Sequence, residues 1–502
     1  MIGNRALSDV FDGVWSREAS RIAIQESGRS LTYRDLLRWS EEISRTLAPA
    51  VHEPGQRVGL MLANSAAFVA AFFAIARLGG VVAPLAAHAT SREIAYHLRA
   101  VDAAALVTGP AVVQKALEIV STLESAPALL DVSEPAEVRV VLRGHPGSRR
   151  VPTGVSAALL QLHTSGSTGV PKAVVRTHSA LLAELDALRD TFQVAESDRF
   201  LGVAPFSHVN GLVRTMLTSM SVGGTLYPMA EFRRRELVDL VTRARVTFVG
   251  GVPRMFVVLG QTPLRGAVDF SSVRVLFSAS APLLPVDNRR FQSRYGVYVR
   301  QLYGSTETGT ISFNRASALE SSLDSVGAPL EGVHVEVVDD QGRPLPQGEE
   351  GEFAIRSPFA TAGYLDNPAA TSESFRGGFY LSGDIGRKDR GGALTITGRK
   401  SILINCGGFK VNPYEVEQAI REHPKVLEVA VFGSPSGHGD DVVSCVIVPA
   451  GPCSAEEIRF HCRDRLGEFK VPYHIEFRDA LPLSPSGKIL RARLAGDVER
   501  AE

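Results

Sequence analysis

Hydrophobic positions along the chain follow two periods that trade places. Residues 32–47 and 66–78 repeat their apolar side chains at helical spacing, while residues 57–62 and 81–84 are short Val- and Leu-rich runs, the second after the turn Gly79-Gly80. Strand and helix alternating in this way predict a sheet with crossover helices, the α/β class. Short apolar runs recur at 246–249 and 273–277. Each ends at small residues, where a ligand can approach the strand end.

Between 333 and 355 the pattern changes to strands flanking Asp339-Asp340-Gln341-Gly342-Arg343-Pro344, a hairpin signature. After Thr397-Gly398-Arg399 it changes again. The spacing predicts a helix over 413–422, strands over 427–432 and 442–448, a helix over 455–466 and a last strand. This tail is an α+β unit of about a hundred residues, enough to fold alone. The chain therefore divides into a large part, 1–398, and a small part, 399–502.

The length of 502 residues agrees, being several times that of a single-core domain. With 54 Lys+Arg against 54 Asp+Glu, the formal net charge is zero, so no global positive field exists to hold a nucleic acid. Cys406, Cys445, Cys453 and Cys462 show no CxxC pair and no zinc-finger spacing, which favours a reducing, cytoplasmic setting. Polar sequence follows Met1, unlike a signal peptide, and the longest uncharged apolar run, 66–76, is too short to span a bilayer. A soluble protein is expected, with no membrane span.

The densest chemical signal is Leu162-His163-Thr164-Ser165-Gly166-Ser167-Thr168-Gly169-Val170-Pro171-Lys172. Hydroxyls, glycine amides and a terminal cation at this density suit a polyphosphate. The Walker A form is excluded, because Val170-Pro171 precedes the lysine and Ala173 follows it. A polar surface loop is the plain alternative.

Residues 164–172 resemble the signature loop of the adenylate-forming superfamily, in its acyl- and aryl-CoA synthetase branch. Gln301-Leu302-Tyr303-Gly304-Ser305-Thr306-Glu307 is similar to that family's Tyr-Gly-x-Thr-Glu motif, and Tyr380-Leu381-Ser382-Gly383-Asp384 to its Tyr-x-(Ser/Thr)-Gly-Asp motif. Gly398-Arg399 resembles the interdomain Gly-Arg, and Pro485-Ser486-Gly487-Lys488 the C-terminal Gly-Lys motif. The resemblance implies a large domain of α/β sheet layers with a small β-barrel-like subdomain, then a small mobile α+β domain. It also implies that a carboxylic acid is activated by ATP and magnesium as an acyl-adenylate, then passed to the thiol of coenzyme A.

Site roles follow from the same resemblance. Thr164, Ser165, Gly166, Ser167, Thr168, Gly169 and Lys172 would hold the β- and γ-phosphates; Thr306, beside Gly304, would meet the α-phosphate and Glu307 the magnesium. Tyr303 would lie against adenine, Asp384 and Arg399 would bind the ribose, and Lys488 would be the adenylation lysine. Gly407, Gly408 and Lys410 would line the coenzyme A channel, although a plain Gly-Gly turn reads equally well there. Lys400 and Ser401 mark the hinge, where relatives usually carry Asp or Lys in place of the serine.

Ser207, His208, Asn210 and Gly211 resemble the start of the acid-binding helix, with Gly250, Gly251, Ser278, Ala279 and Ser280 as further pocket candidates. His208 also resembles the aromatic gate of acyl- and aryl-CoA synthetases, which would count it with Thr306, Glu307 and Lys488 as catalytic, a structural histidine being the alternative. Ser207 stands where amino-acid-activating relatives place an Asp, so an α-amino acid is disfavoured. The small residues suggest room for an apolar acid. Ser278-Ala279-Ser280 also departs from the family's Ser-Gly-Gly. Alternatives are an acyl carrier protein as acceptor, an enzyme performing mainly the thioester half-reaction, and a non-catalytic binding protein. The quaternary expectation is monomer or homodimer.

Overall fold

Two sheets, each with a parallel centre, enclose the helices that the 3.6-residue period predicted. The structure is a computed structural model describing residues 6–26, 28–132, 137–144, 158–164, 172–261, 268–406, 409–435, 441–484 and 489–499. Thr32 caps the helix Tyr33–Leu47 in a capping box with Asp35, which fixes its start. Every residue from Ala66 to Ala76 in the helix Ala66–Arg77 is buried. A helix apolar all round needs cover on all sides, and this one contributes to a core shared with Val58 and Leu60 of one sheet and Phe200 and Phe248 of the other.

The first sheet has the strands Ala128–Asp131, Ala105–Thr108, Arg57–Met61, Val81–Pro84 and Ala158–Thr164 in parallel, with an antiparallel strand at each edge. The second has a parallel centre of Thr225–Pro228, Arg199–Gly202, Phe248–Gly251, Val275–Ser278 and Arg300–Ser305. The strand expected at 246–249 thus lies two residues later. Asn64 ties the sheets together: its Nδ2 donates to the carbonyls of Gly202 and Ala204, 2.9 Å each, and its Oδ1 accepts from Phe206 N–H at 2.8 Å. That triple contact fixes the loop leading to Ser207 and His208.

The hairpin predicted around residue 340 joins His334–Val338 to Gly351–Arg356. Together with Ser325–Pro329, Phe379–Lys388 and Leu394–Arg399 it makes the expected antiparallel subdomain. Among the described residues these strands extend the second sheet, ending at His334–Val338, rather than closing into a separate barrel.

Beyond Arg399, the strands Val426–Pro435, Asp441–Pro449 and His474–Phe477 form a three-stranded sheet with helices Pro413–Arg421 and Ala455–Arg463. Two clusters of buried apolar residues, all at or after Ile404, give this part its own core. A helix at Arg491–Glu499 completes it, unanticipated because its mixed polarity shows little amphipathic pattern.

Candidate active site

A cavity of about 1930 Å³ lies where the strand ends of both sheets meet the small part of the chain. Thr164 ends one strand, Lys172 begins the next, and the two are antiparallel partners. The residues between them, Ser165, Gly166, Ser167, Thr168 and Gly169 included, lie outside the described residues, as do Gly407, Gly408 and Lys488. Lys172 places its Nζ 4.8 Å from the centre of the Tyr364 ring. Tyr364 in turn donates its hydroxyl to Glu307 Oε1 at 3.0 Å. Burial, then the Glu307 charge, lifts that hydroxyl to about 12, so Tyr364 stays a donor at neutral pH.

Elsewhere in the cavity, Tyr303 donates its hydroxyl to Asp384 Oδ2 at 2.6 Å, and Arg399 Nη1 stands 3.5 Å from Asp384 Oδ1. Asp384 and Arg399 are register partners on adjacent strands, which explains how residues fifteen apart meet. Gly383 takes φ of +73°, a left-handed conformation that glycine tolerates, and its N–H donates to Glu352 at 2.8 Å. Lys400 Nζ bridges Glu352 and Asp340 at 2.9 and 3.0 Å, while Ser401 is exposed in the short turn Lys400–Ile402. Lys410 lines a separate crevice beside Asp340.

Of the residues expected at the acid pocket, Ser207, His208, Asn210 and Ser280 line the cavity. Gly211, Gly250, Gly251, Ser278 and Ala279 are not part of that lining. Their small size has another cause: a Cβ on Gly250 would lie 2.5 Å from Phe277, one on Gly251 2.9 Å from Phe256, and one on Gly211 2.2 Å from the Ala204 carbonyl. These glycines let neighbouring groups approach rather than widening an acyl pocket. Ser280 adopts φ of +78°, a left-handed conformation that glycine would reach without strain.

Behind Thr306 lies a charged cluster. Arg176 and Glu184, both 0% exposed, pair at 2.7 Å. Glu184 Oε1 accepts from the N–H and hydroxyl of Thr310, at 2.8 and 2.7 Å, and Arg176 reaches the Thr306 carbonyl at 3.5 Å. Arg214 Nε donates to Thr310 Oγ1 at 3.0 Å. Arg214 lies in Leu212–Leu217, where the helix widens to π geometry, a distortion often found at functional sites.

The small part closes the cavity: Ser484 and Ile489, flanking 485–488, line it with Arg491. This arrangement is held by Arg421, which pairs with Asp287 of the large part. Gln261 adds a hydrogen bond to the Leu427 carbonyl at 3.5 Å.

A family model described as AMP-binding enzyme matches residues 11–365, and one described as AMP-binding enzyme C-terminal domain matches 415–488. The chain belongs to the AMP-binding enzymes. Feruloyl-CoA synthase of Amycolatopsis sp is 32% identical over 500 residues, 97% of this chain and 98% of that protein. Oxalate–CoA ligase of Arabidopsis thaliana is 30% identical over 512 residues, covering 97% and 98%. Both relatives are acid–thiol ligases by name, and the enzyme class expected from the motifs is met. ATP-bound MatB from Rhodopseudomonas palustris superposes with a TM-score of 0.86 at 26% identity, over 98% of this chain and 99% of that one. The apo form of MatB, with the same identity and coverage, gives 0.74. This AMP-binding enzyme thus superposes better on the ATP-bound form than on the apo form. No helix among its described residues is long and apolar enough to cross a membrane.

Sequence reasoning missed Tyr364, Arg176, Glu184, Arg214 and the Arg421–Asp287 pair. Arg214 alone left a trace, as a single charge inside the apolar run Leu212-Val213-Arg214-Thr215-Met216-Leu217. Arg176 and Glu184 pair only eight residues apart, but their contacts to Thr306 and Thr310, like those of Tyr364, Asp287 and Arg421, reach partners far away in the chain, which no local spacing reveals.

Proposed function

We propose that this enzyme is an ATP- and magnesium-dependent acyl-CoA synthetase that activates a carboxylic acid as acyl-AMP and transfers the acyl group to coenzyme A. The observation that carries the reading is convergence on one cavity. Lys172, Thr306, Glu307 and Asp384 line it from the large part, Arg399 lines it at the boundary, and residues on both sides of Lys488 line it from the small part.

A carboxylate oxygen attacks the α-phosphorus, a P–O bond to the β-phosphate breaks, and pyrophosphate leaves. The thiol sulfur then attacks the acyl carbon and AMP departs with the electron pair of the C–O bond. Lys172 and residues 164–169 would neutralise the departing phosphates, and Thr306 would hold the α-phosphate. Asp384, fixed by Tyr303 and Arg399, would accept from the ribose hydroxyls. Lys488 would bring the acid and the α-phosphate together.

Magnesium fits this site. Tyr364 occupies one Glu307 oxygen and leaves the other, and no cluster of three or more His, Cys, Asp or Glu exists among the described residues. A single carboxylate completed by phosphate oxygens and water is the usual magnesium arrangement, and the ion would draw charge from the phosphates.

The chain divides at Arg399, and the small part, 399–502, would turn about Lys400 and Ser401 to admit the thiol, with Gly407, Gly408 and Lys410 along its path. The test is magnesium-dependent ATP–pyrophosphate exchange across a carboxylate library, followed by thioester formation with coenzyme A and with an acyl carrier protein. Lys488→Ala is expected to lose exchange but still convert supplied acyl-adenylate to thioester. Equal loss in both assays refutes the role of Lys488, and absence of exchange with every acid refutes the adenylation reading.

A further inference from the structure

Arg214 is 2% exposed, yet among the described residues its side chain makes a single hydrogen bond, from Nε to Thr310. Its Nη2 is buried without a hydrogen-bond partner among the described residues and lies against Gly304, where a Cβ would come within 2.2 Å of it. Arg214 also lines the cavity together with Thr306, Glu307, Ser207 and Asn210. Its guanidinium fork is thus half-used, on a side chain that borders the same cavity as Thr306 and Glu307.

Charge makes the vacancy more specific. The cluster holds two guanidiniums, Arg176 and Arg214, against one carboxylate, Glu184, all at 2% exposure or less. Burial pulls Arg214 down to about 10, with Glu184 opposing and Arg176 assisting, so it remains a cation at neutral pH. A buried cation lacking hydrogen bonds is costly, whereas a carboxylate can take two parallel N–H bonds from one guanidinium.

We propose that Arg214 recognises a second carboxylate on the acid substrate, making this enzyme selective for dicarboxylic acids. The proposal rests on the adenylation reading and narrows its substrate. It also reverses the apolar acid suggested by the small residues, since those residues face neighbouring side chains and backbone, and a hydrocarbon tail would leave Arg214 unpaired.

The experiment compares chain-matched acids in ATP–pyrophosphate exchange: succinate with butyrate, glutarate with pentanoate, adipate with hexanoate and phthalate with benzoate. Wild type is expected to favour at least one diacid over its monoacid by about 100-fold in kcat/KM, the scale of one desolvated charge pair. Arg214→Met is expected to erase that preference, lowering diacid exchange about 100-fold while monoacid exchange holds or rises. Arg214→Lys should retain part of the preference with a raised KM, because a point charge cannot reproduce the fork.

A wild type that favours monoacids overturns the proposal, as does an Arg214→Met that loses both classes equally while its melting temperature and ATP binding are retained. If Arg214→Met does not fold, the wild-type comparison decides. Exchange with no acid of either class refutes the adenylation reading itself, a result distinct from exchange with monoacids alone.

Discussion

Two buried ion pairs use the same chemistry for opposite purposes. Arg176–Glu184 lies wholly inside the large part and is locked by Thr310 and the Thr306 carbonyl. Arg421–Asp287, at 4% and 5% exposure, crosses from the small part to the large one. The first never has to open, so its desolvation cost is met once, on folding. The second must open if the small part turns, and only then are both groups rehydrated. What separates a structural pair from a switching one is therefore not its burial but whether its partners share a rigid body.

Lys488→Ala aside, the largest effect is expected from Glu184→Ala, which strands Arg176 in the interior. A loss of about 3–5 kcal/mol in denaturant unfolding is expected. Burial tends to raise the Glu184 carboxyl, but the charges of Arg176 and Arg214 and the bonds from Arg176 and Thr310 outweigh it and hold the group below 4.5. A carboxyl depressed on folding stabilises fully above its unfolded value and loses that contribution as pH falls through its folded value. Unfolding midpoints should thus fall with acid below about pH 4.5 in wild type, and less steeply in Glu184→Gln.

The pair across the boundary should respond differently. Asp287→Asn leaves Arg421 without its counter-ion, and turning the small part toward water relieves that cost. ATP–pyrophosphate exchange is expected to drop about 10-fold, while conversion of supplied acyl-adenylate to thioester is unchanged or faster and global stability barely moves. Parallel loss of both half-reactions would erase the contrast between the two pairs. Tyr303→Phe removes one hydrogen bond to a charged group and should weaken ATP binding by about 10-fold, read by calorimetry. The smallest expected effect is a gain: Ser280→Gly relieves a left-handed serine and should raise stability by about 1 kcal/mol.

The large elements were legible because period alone encodes them. The helices Tyr33–Leu47 and Ala66–Arg77 and the strands Arg57–Met61 and Val81–Pro84 lie within a residue of their sequence boundaries. Tyr303, Asp384 and Arg399, singled out because they sit inside dense motifs, are brought into mutual contact by the fold. The acid pocket was misread at Gly250 and Gly251, since sequence shows that a residue is small but not which neighbour needs the space. Tyr364 was invisible for the complementary reason. Its value lies in touching Lys172 and Glu307, and nothing in Gly363-Tyr364-Leu365 signals those partners.

Arg399 is at once the strand partner of Asp384 and the last residue before the turn Lys400–Ile402. On the proposed function, the ribose contact and the pivot would therefore share a single peptide segment, with no intervening element to relay between them. A ribose held by Asp384 would then be one pair of facing residues away from the joint, so that departure of AMP would be registered there directly.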